Sequence, residues 1–143
     1  MTDWRDQLGS ILNEAAAHKV ETQTTEFARF MADVALPAFA EIAGELEKHG
    51  RQVLIRNSET SATMIVNSNR GEEEMIYRLQ GRMFPQGELP YAEVRFRERK
   101  GLKLITVESM LRSGAPNYPL ADVQAEEIIN NFLDHYKRRV QND

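Results

Sequence analysis

The sequence predicts an α+β fold in which helices flank a five-stranded antiparallel sheet. Apolar residues recur at helical spacing near both ends of the chain, whereas from Arg51 to Glu108 they alternate with polar residues, as is typical of strands. The connections between the predicted strands are short, which favours an antiparallel meander because parallel strands need long crossover connections. A length of 143 residues is typical of one domain, and we expect residues 1–143 to fold as a single unit.

Two helices are predicted before the sheet, each from apolar residues at helical spacing. Pro37 interrupts the second helix because it lacks a backbone N–H, so we expect a kink or a break there. Lys48, His49 and Gly50 predict the end of this helix, since cations face the terminal carbonyl groups and glycine tolerates a left-handed conformation. The apolar positions are Trp4, Leu8, Ile11, Leu12 and Ala15 in the first helix and Phe27, Phe30, Met31, Val34, Ala38, Ile42 and Leu46 in the second.

Alternating polarity and turn residues divide the middle of the chain into five predicted strands. These strands are Gln52 to Asn57, Ser61 to Asn67, Glu74 to Gln80, Tyr91 to Arg97 and Leu102 to Glu108, with Arg99-Lys100-Gly101 as the last hairpin turn. Two longer irregular segments are predicted, Arg82 to Pro90 and Ser109 to Pro119. The last helix follows with Asp122 as its predicted N-cap, and its apolar positions are Ile128, Ile129, Phe132, Leu133, Tyr136 and Val140.

Alternate residues of each strand lie on opposite faces of the sheet. One face is uniformly apolar and is expected to form the core beneath the helices, through Val53, Ile55, Ala62, Met64, Val66, Met75, Tyr77, Leu79, Ala92, Val94, Phe96, Leu102 and Leu104. The other face is mixed, and its aliphatic residues exceed what a solvated face needs. We expect an interface there, formed by Leu54, Ile65, Ile76, Ile105 and Val107. The first helix, a second copy of the chain or a different protein could cover it.

Arginines share this mixed face. Arg78, Arg95 and Arg97 are candidates for binding an anion such as phosphate or carboxylate, and Arg56 could join them. The alternative is that these arginines pair with Glu93 across strands and keep the face soluble. Tyr91 is the only aromatic residue of the face, so the pattern gives poor support to a platform for stacking nucleic-acid bases.

Composition excludes several classes of site. The chain has no cysteine, which excludes disulfides, thiolate nucleophiles and cysteine-ligated metals. The net charge of −4 argues against general coating of nucleic acid, although residues 51–103 carry 10 Lys and Arg against 7 Asp and Glu. No secretion signal, membrane span or phosphate-binding loop is present in the sequence, so we expect a cytoplasmic protein without a membrane partner or a cofactor. Glu41, Glu45 and His49 have a spacing that metal ligands use, but it is equally that of a solvated helix face, and we expect no metal.

These observations predict a small non-enzymatic cytoplasmic protein that acts through protein–protein contacts, as a homodimer or with another protein. The rival prediction is a module that binds an anion, a phosphate-bearing ligand or nucleic acid through the arginines. An enzyme would need a pocket, which we would expect where the segments Arg82 to Pro90 and Ser109 to Pro119 meet.

Overall fold

The computed structural model describes residues 4–10, 26–85, 87–97 and 103–141 and confirms the α+β class. Residues 4–10 and 26–30 are helical, Met31–Ala35 is π-helical and Leu120–Asp122 is a 3₁₀ turn. The longer elements are α1 Leu36–Lys48, β1 Gln52–Asn57, β2 Ser61–Asn67, β3 Glu73–Phe84, β4 Gly87–Arg97, β5 Leu104–Met110 and α2 Ala125–Gln141. All neighbouring strands are antiparallel, in the order β1-β2-β3-β4-β5, which is the predicted meander. Ile11, Leu12, Ala15, Leu102 and the Arg99-Lys100-Gly101 turn lie outside the described residues.

The helical run from residue 26 to Lys48 contains a π-helical segment directly before Pro37. Leu36 donates its N–H to the carbonyl of Met31, five residues back, and Pro37 then lies in the first turn of α1. In a continuous α-helix, the carbonyl of Asp33 would need an N–H that Pro37 lacks. The irregularity predicted at Pro37 is therefore a π-helical segment, and the helix does not break in two. It ends as predicted, with Gly50 at a φ of 84°.

The prediction of a longer irregular segment at Arg82 to Pro90 is wrong, because residues 82–84 extend β3 and residues 87–90 extend β4. Pairing continues from Gly81 opposite Pro90 to Phe84 opposite Gly87. Proline is tolerated in β4 because β5 pairs with β4 only up to Tyr91, so Pro90 has a neighbouring strand on one side only, as at the edge of a sheet.

The core lies between the helices and one face of the sheet, which we call the helix face. Met64, Met75 and Tyr77 of the sheet are fully buried, as are Phe39 of α1 and Phe132 of α2. Three of these rings form a continuous series, since the centroid of Tyr77 lies 5.8 Å from that of Phe39 and 5.5 Å from that of Phe132. The predicted assignment of apolar residues to this face is thus confirmed for the strands β1 to β4.

The faces predicted for β5 are wrong. Val107 pairs with Val94 and Ile105 pairs with Phe96, and paired residues of antiparallel strands share a face. Ile105 and Val107 therefore lie on the helix face, whereas Leu104 lies on the opposite one and is 46% exposed. The predicted strand also begins two residues too early. Apolar residues stand at both 104 and 105, so alternation alone did not determine which set faces the core.

The beginning of α2 also differs from the prediction. Asp122 belongs to the 3₁₀ turn, and Gln124 precedes the helix. The side chain of Glu127 accepts a hydrogen bond from the backbone N–H of Gln124 at 2.7 Å and pairs with Arg112. A glutamate in the first turn thus satisfies the donor that the predicted Asp122 cap was expected to serve.

Candidate functional site

The second face of the sheet, which we call the open face, holds the predicted site residues. Strand pairing places two cross-strand rows next to each other on it: Leu54, Ile65, Ile76, Arg95 and Thr106 in one, and Arg56, Thr63, Arg78, Glu93 and Glu108 in the other. One row is thus mainly aliphatic and the next is mainly charged. Ile65 and Ile76 are half-buried and Leu54 is 46% exposed, so the described helices do not bury this aliphatic row.

A concavity of about 380 Å³ lies over the middle of the open face. The described residues that line it belong to the sheet and to the β1–β2 turn: Arg56, Asn57, Ser58, Ser61, Thr63, Ile65, Ile76, Arg78, Glu93 and Arg95. Its floor is aliphatic and its sides carry three guanidinium groups against one carboxylate. The concavity is therefore electropositive with an apolar floor.

The three arginines have few partners within the described part of the chain. Arg78 donates from Nε to Thr63 Oγ1 at 3.2 Å, and Arg95 Nη2 lies 3.6 Å from Glu93 Oε1. Arg56 makes neither a hydrogen bond nor an ion pair with any described residue. Each guanidinium has five N–H donors, so most donors of the three remain available to a ligand.

Arg82, a further arginine of the open face, has its partners within the protein. Arg82 Nη2 lies 2.9 Å from Glu108 Oε2, and the Arg82 guanidinium stacks over the ring of Tyr91 at 4.0 Å. The one aromatic ring predicted on this face is therefore covered by a cation of the protein itself. Arg97, a predicted anion-binding residue, pairs with Leu104 and does not line the concavity.

The structure thus brings together five predicted residues and separates three. Leu54, Ile65 and Ile76 form one row, with Arg78 and Arg95 beside them. Ile105 and Val107 lie on the helix face, and Arg97 lies outside the concavity. Thr63 was not predicted as a site residue, although its place in the alternation put it on this face.

A second cavity of about 390 Å³ lies where the β3–β4 hairpin meets the segment before α2. This is the place where we expected a pocket if the protein were an enzyme. Its lining comes from three parts of the chain: Glu26, Arg29, Phe30, Asp33 and Val34; Gly87, Glu88 and Leu89; and Tyr118, Pro119, Leu120, Ala121 and Val123. Asp33 and Val34 belong to the π-helical segment, so the irregularity before Pro37 contributes directly to the wall of this cavity.

A serine and a histidine also meet, at the interface of β5 and α2. Ser109 Oγ lies 2.8 Å from His135 Nε2, and Asn131 Nδ2 donates to the same Oγ at 3.1 Å. Tyr77 donates to Asn131 Oδ1 at 2.7 Å, which completes a partly buried chain of hydrogen bonds. Sequence reasoning missed this pair because nothing in the local pattern links residues 26 positions apart. Ser109 and His135 line neither of the two cavities. Their hydrogen bonds hold α2 against the sheet.

Other kinds of site receive no support from the part of the chain that the structure describes. No group of three or more His, Asp or Glu side chains in that part is arranged to hold a metal ion, and Glu45 instead pairs with Lys48 at 2.9 Å. No helix in the described ranges combines the length and the apolar character needed to span a bilayer.

Comparisons of the chain with protein-family models, with curated proteins and with solved structures find no match.

Proposed function

We propose that this protein is a non-enzymatic binding module whose open face receives an acidic, partly apolar segment of a partner protein. The observation that carries the proposal is the composition of the concavity, in which Arg56, Arg78 and Arg95 surround Ile65 and Ile76, with Glu93 as the only carboxylate among the described lining residues. An acidic segment supplies the charges that these arginines lack.

The two rows of the open face favour a ligand with two kinds of group. Guanidinium groups form paired hydrogen bonds with carboxylates, and these bonds are stronger than those between neutral groups. The aliphatic row offers apolar surface that a leucine or isoleucine side chain would remove from water. A peptide segment that alternates acidic and aliphatic residues matches both rows.

Self-association through the same surface is less well supported. In a two-fold dimer each patch meets its own copy, so Arg56, Arg78 and Arg95 would approach the same three arginines with one glutamate from each chain. Like charges in such an interface cost free energy. The predicted homodimer therefore remains an alternative, to be distinguished by experiment.

Nucleic acid is a second alternative, and the surroundings of Tyr91 argue against it. Single strands bind by stacking bases on aromatic rings above a positive groove. The ring of Tyr91 is already stacked by Arg82 at 4.0 Å. Phosphates would find cations on the open face, but bases would find no free ring there among the described residues.

The test is the binding of a fluorescein-labelled synthetic peptide of alternating Glu and Leu, followed by fluorescence anisotropy at low and high salt. A matched peptide with Gln in place of Glu measures the contribution of charge. We expect the acidic peptide to bind, and the double variant Arg78→Gln with Arg95→Gln to weaken its binding about tenfold or more. Arg138→Gln is the control, because Arg138 is an exposed arginine of α2, which packs on the other side of the sheet.

Equal binding of the acidic and the Gln peptides would contradict the proposal, as would equal binding by the double variant and the control. Preference for a labelled oligothymidylate would favour the nucleic-acid alternative. Light scattering of the protein alone tests the homodimer alternative. A mass near twice 16.4 kDa that persists in high salt would indicate a dimer held by apolar contacts. If Ile65→Asp and Ile76→Asp abolish that dimer, the open face is its interface.

A further inference from the structure

We propose that the second cavity, between the π-helical segment, the β3–β4 hairpin and the segment before α2, binds a small organic cation with an apolar body, such as a primary alkylamine. This inference is independent of the function proposed for the open face, which lies on the other side of the sheet.

The charges that line this cavity favour a cation. Among the described lining residues, Glu26, Asp33 and Glu88 contribute three carboxylates and Arg29 contributes one guanidinium. Arg112, which stacks on the ring of Tyr118 at 4.4 Å, is already paired with Glu127. None of the four charged lining side chains forms an ion pair of 4 Å or less with another described residue. An anionic ligand would meet a net negative wall, while an ammonium group would meet two more negative groups than positive ones.

Glu88 is the residue that most clearly needs a cationic partner. Its side chain packs against the bare backbone of Gly81, so closely that a Cβ on Gly81 would lie 2.6 Å from Glu88 Cδ. The carboxylate is partly buried there without a cation or a hydrogen-bond donor among the described residues, and this burial raises the pKa of Glu88. A bound ammonium group would supply the opposite charge and the hydrogen bonds that the desolvated carboxylate lacks.

Tyr118 provides a second, independent indication of a ligand. It lines the cavity, is 9% exposed, and its buried hydroxyl has no hydrogen-bond partner among the described residues. Burial also raises the pKa of this phenol, so the hydroxyl stays protonated and can donate or accept. Buried polar groups without partners are rare in folded proteins. The Tyr118 hydroxyl has almost no accessible surface, so a ligand in the cavity satisfies it once the Tyr118 side chain shifts toward the cavity.

The lining and the volume of the cavity favour an organic cation over a metal ion. The carboxylates of Glu26, Asp33 and Glu88 do not form a cluster that could hold a metal among the described residues. Between them lies apolar surface from Phe30, Val34, Leu89, Leu120 and Val123. A volume of about 390 Å³ is at the lower end of the range for small-molecule sites. A cation that fits must therefore carry an apolar chain or ring of modest size.

The π-helical segment strengthens this interpretation. Such segments are rare, cost stability, and occur frequently at functional sites. Here the segment places Asp33 and Val34, one charged and one apolar residue, in adjacent positions of the cavity wall.

Isothermal titration of the full chain with hexylammonium chloride tests the proposal, with sodium hexanoate as a probe of equal chain length and opposite charge. We expect saturable binding of hexylammonium in the millimolar range or tighter, and at least about tenfold weaker binding of hexanoate. Glu88→Gln and Asp33→Asn should each weaken hexylammonium binding about three- to tenfold, because each removes one negative charge with little change of shape. Glu126→Gln, an exposed carboxylate in the first turn of α2 outside the cavity, is the control.

Ala121→Trp supplies a further test, since Ala121 is an exposed residue of the cavity wall that a large ring would fill without a change of charge. We expect this variant to fold, as judged by far-ultraviolet circular dichroism, and to lose hexylammonium binding even if the charge variants fail to fold. Three results would overturn the proposal: no saturation by about 10 mM hexylammonium, equal or tighter binding of hexanoate, or unchanged binding by folded Ala121→Trp.

Discussion

The two faces of the sheet are built from the same strands and differ in what lies over them. In β2, Ala62, Met64 and Val66 are completely buried beneath the helices, whereas Thr63 and Ile65, their immediate neighbours in sequence, are only half-buried. The helix face therefore accounts for the stability of the fold. The open face retains aliphatic and cationic side chains that the fold itself does not use.

The two faces also differ in how far their polar side chains are hydrogen-bonded within the protein. On the helix face, Tyr77, Asn131, Ser109 and His135 form a continuous series of hydrogen bonds, which removes most of the cost of burying them. On the open face, Arg56 has no partner among the described residues. Paired polar groups indicate a structural role, and unpaired ones indicate where a ligand would be recognised.

The largest expected effect comes from truncating one residue on each face of the same strand. Met64→Ala should lower the free energy of unfolding by about 2 to 5 kcal/mol, because it leaves a cavity in a fully buried site. Ile65→Ala should lower it by only about 1 kcal/mol, since this side chain is already half in contact with water. Urea denaturation of both variants measures the difference. Similar losses would mean that the open face is covered in solution.

A smaller effect is expected in β5, where it tests which residues face the helices. Val107→Asp should cost about 1 kcal/mol or more beyond the cost of Leu104→Asp, because only residue 107 lies on the helix face. The poor strand propensity of aspartate applies to both positions and cancels. Urea denaturation again gives both values. The reverse order would restore the predicted faces and contradict the pairing of β5 with β4.

The smallest effect is a dependence of the free energy of unfolding on pH that arises from His135, a residue of α2 buried against the helix face. Burial lowers the pKa of His135, with a further lowering by Arg138 and an opposing effect of Asp134. The unfolded chain then binds more protons than the folded one, so stability is lost as the pH falls below about 6.5, the pKa of an unfolded histidine. His135→Gln should reduce the loss between about pH 7.5 and 5.5 relative to wild type.

The control for this prediction is Asn130→Gln, because Asn130 is exposed on the same helix and the substitution removes no titratable group. Its profile of unfolding free energy against pH should follow that of the wild type. A His135→Gln profile that also follows the wild type would show that burial of His135 does not contribute to acid sensitivity.

Much of the fold could be predicted because local signals and burial agree there. The bounds of β1 and β2 match the structure, since a clear turn at Asn57-Ser58-Glu59 separates two segments rich in β-branched residues. Lys48, His49 and Gly50 predicted the end of α1 for a similarly local reason, the conformational freedom of glycine beside terminal cations. That Leu54, Ile65 and Ile76 share a face followed from the period of the strands, whereas their pairing in one row is a result of the register.

The errors occurred where tertiary contacts overrule a local signal. Pro85, Gly87 and Pro90 indicated a loop, yet β3 and β4 continue pairing as far as Phe84 and Gly87, with Pro90 at a position that β5 does not reach. Leu104 and Ile105 fitted either face of β5, and pairing with β4 decided between them.

By itself, therefore, the sequence determined the α+β class, the antiparallel meander, the faces of the first four strands and the presence of Arg78 and Arg95 on the same face as three aliphatic residues, because periodicity and turn chemistry act over a few residues. Only the tertiary structure decided the faces of β5, the contact of Ser109 with His135 and the cavity that joins Asp33, Glu88 and Tyr118. These features depend on residues far apart in the chain, and their meeting is set by how the helices pack on the sheet.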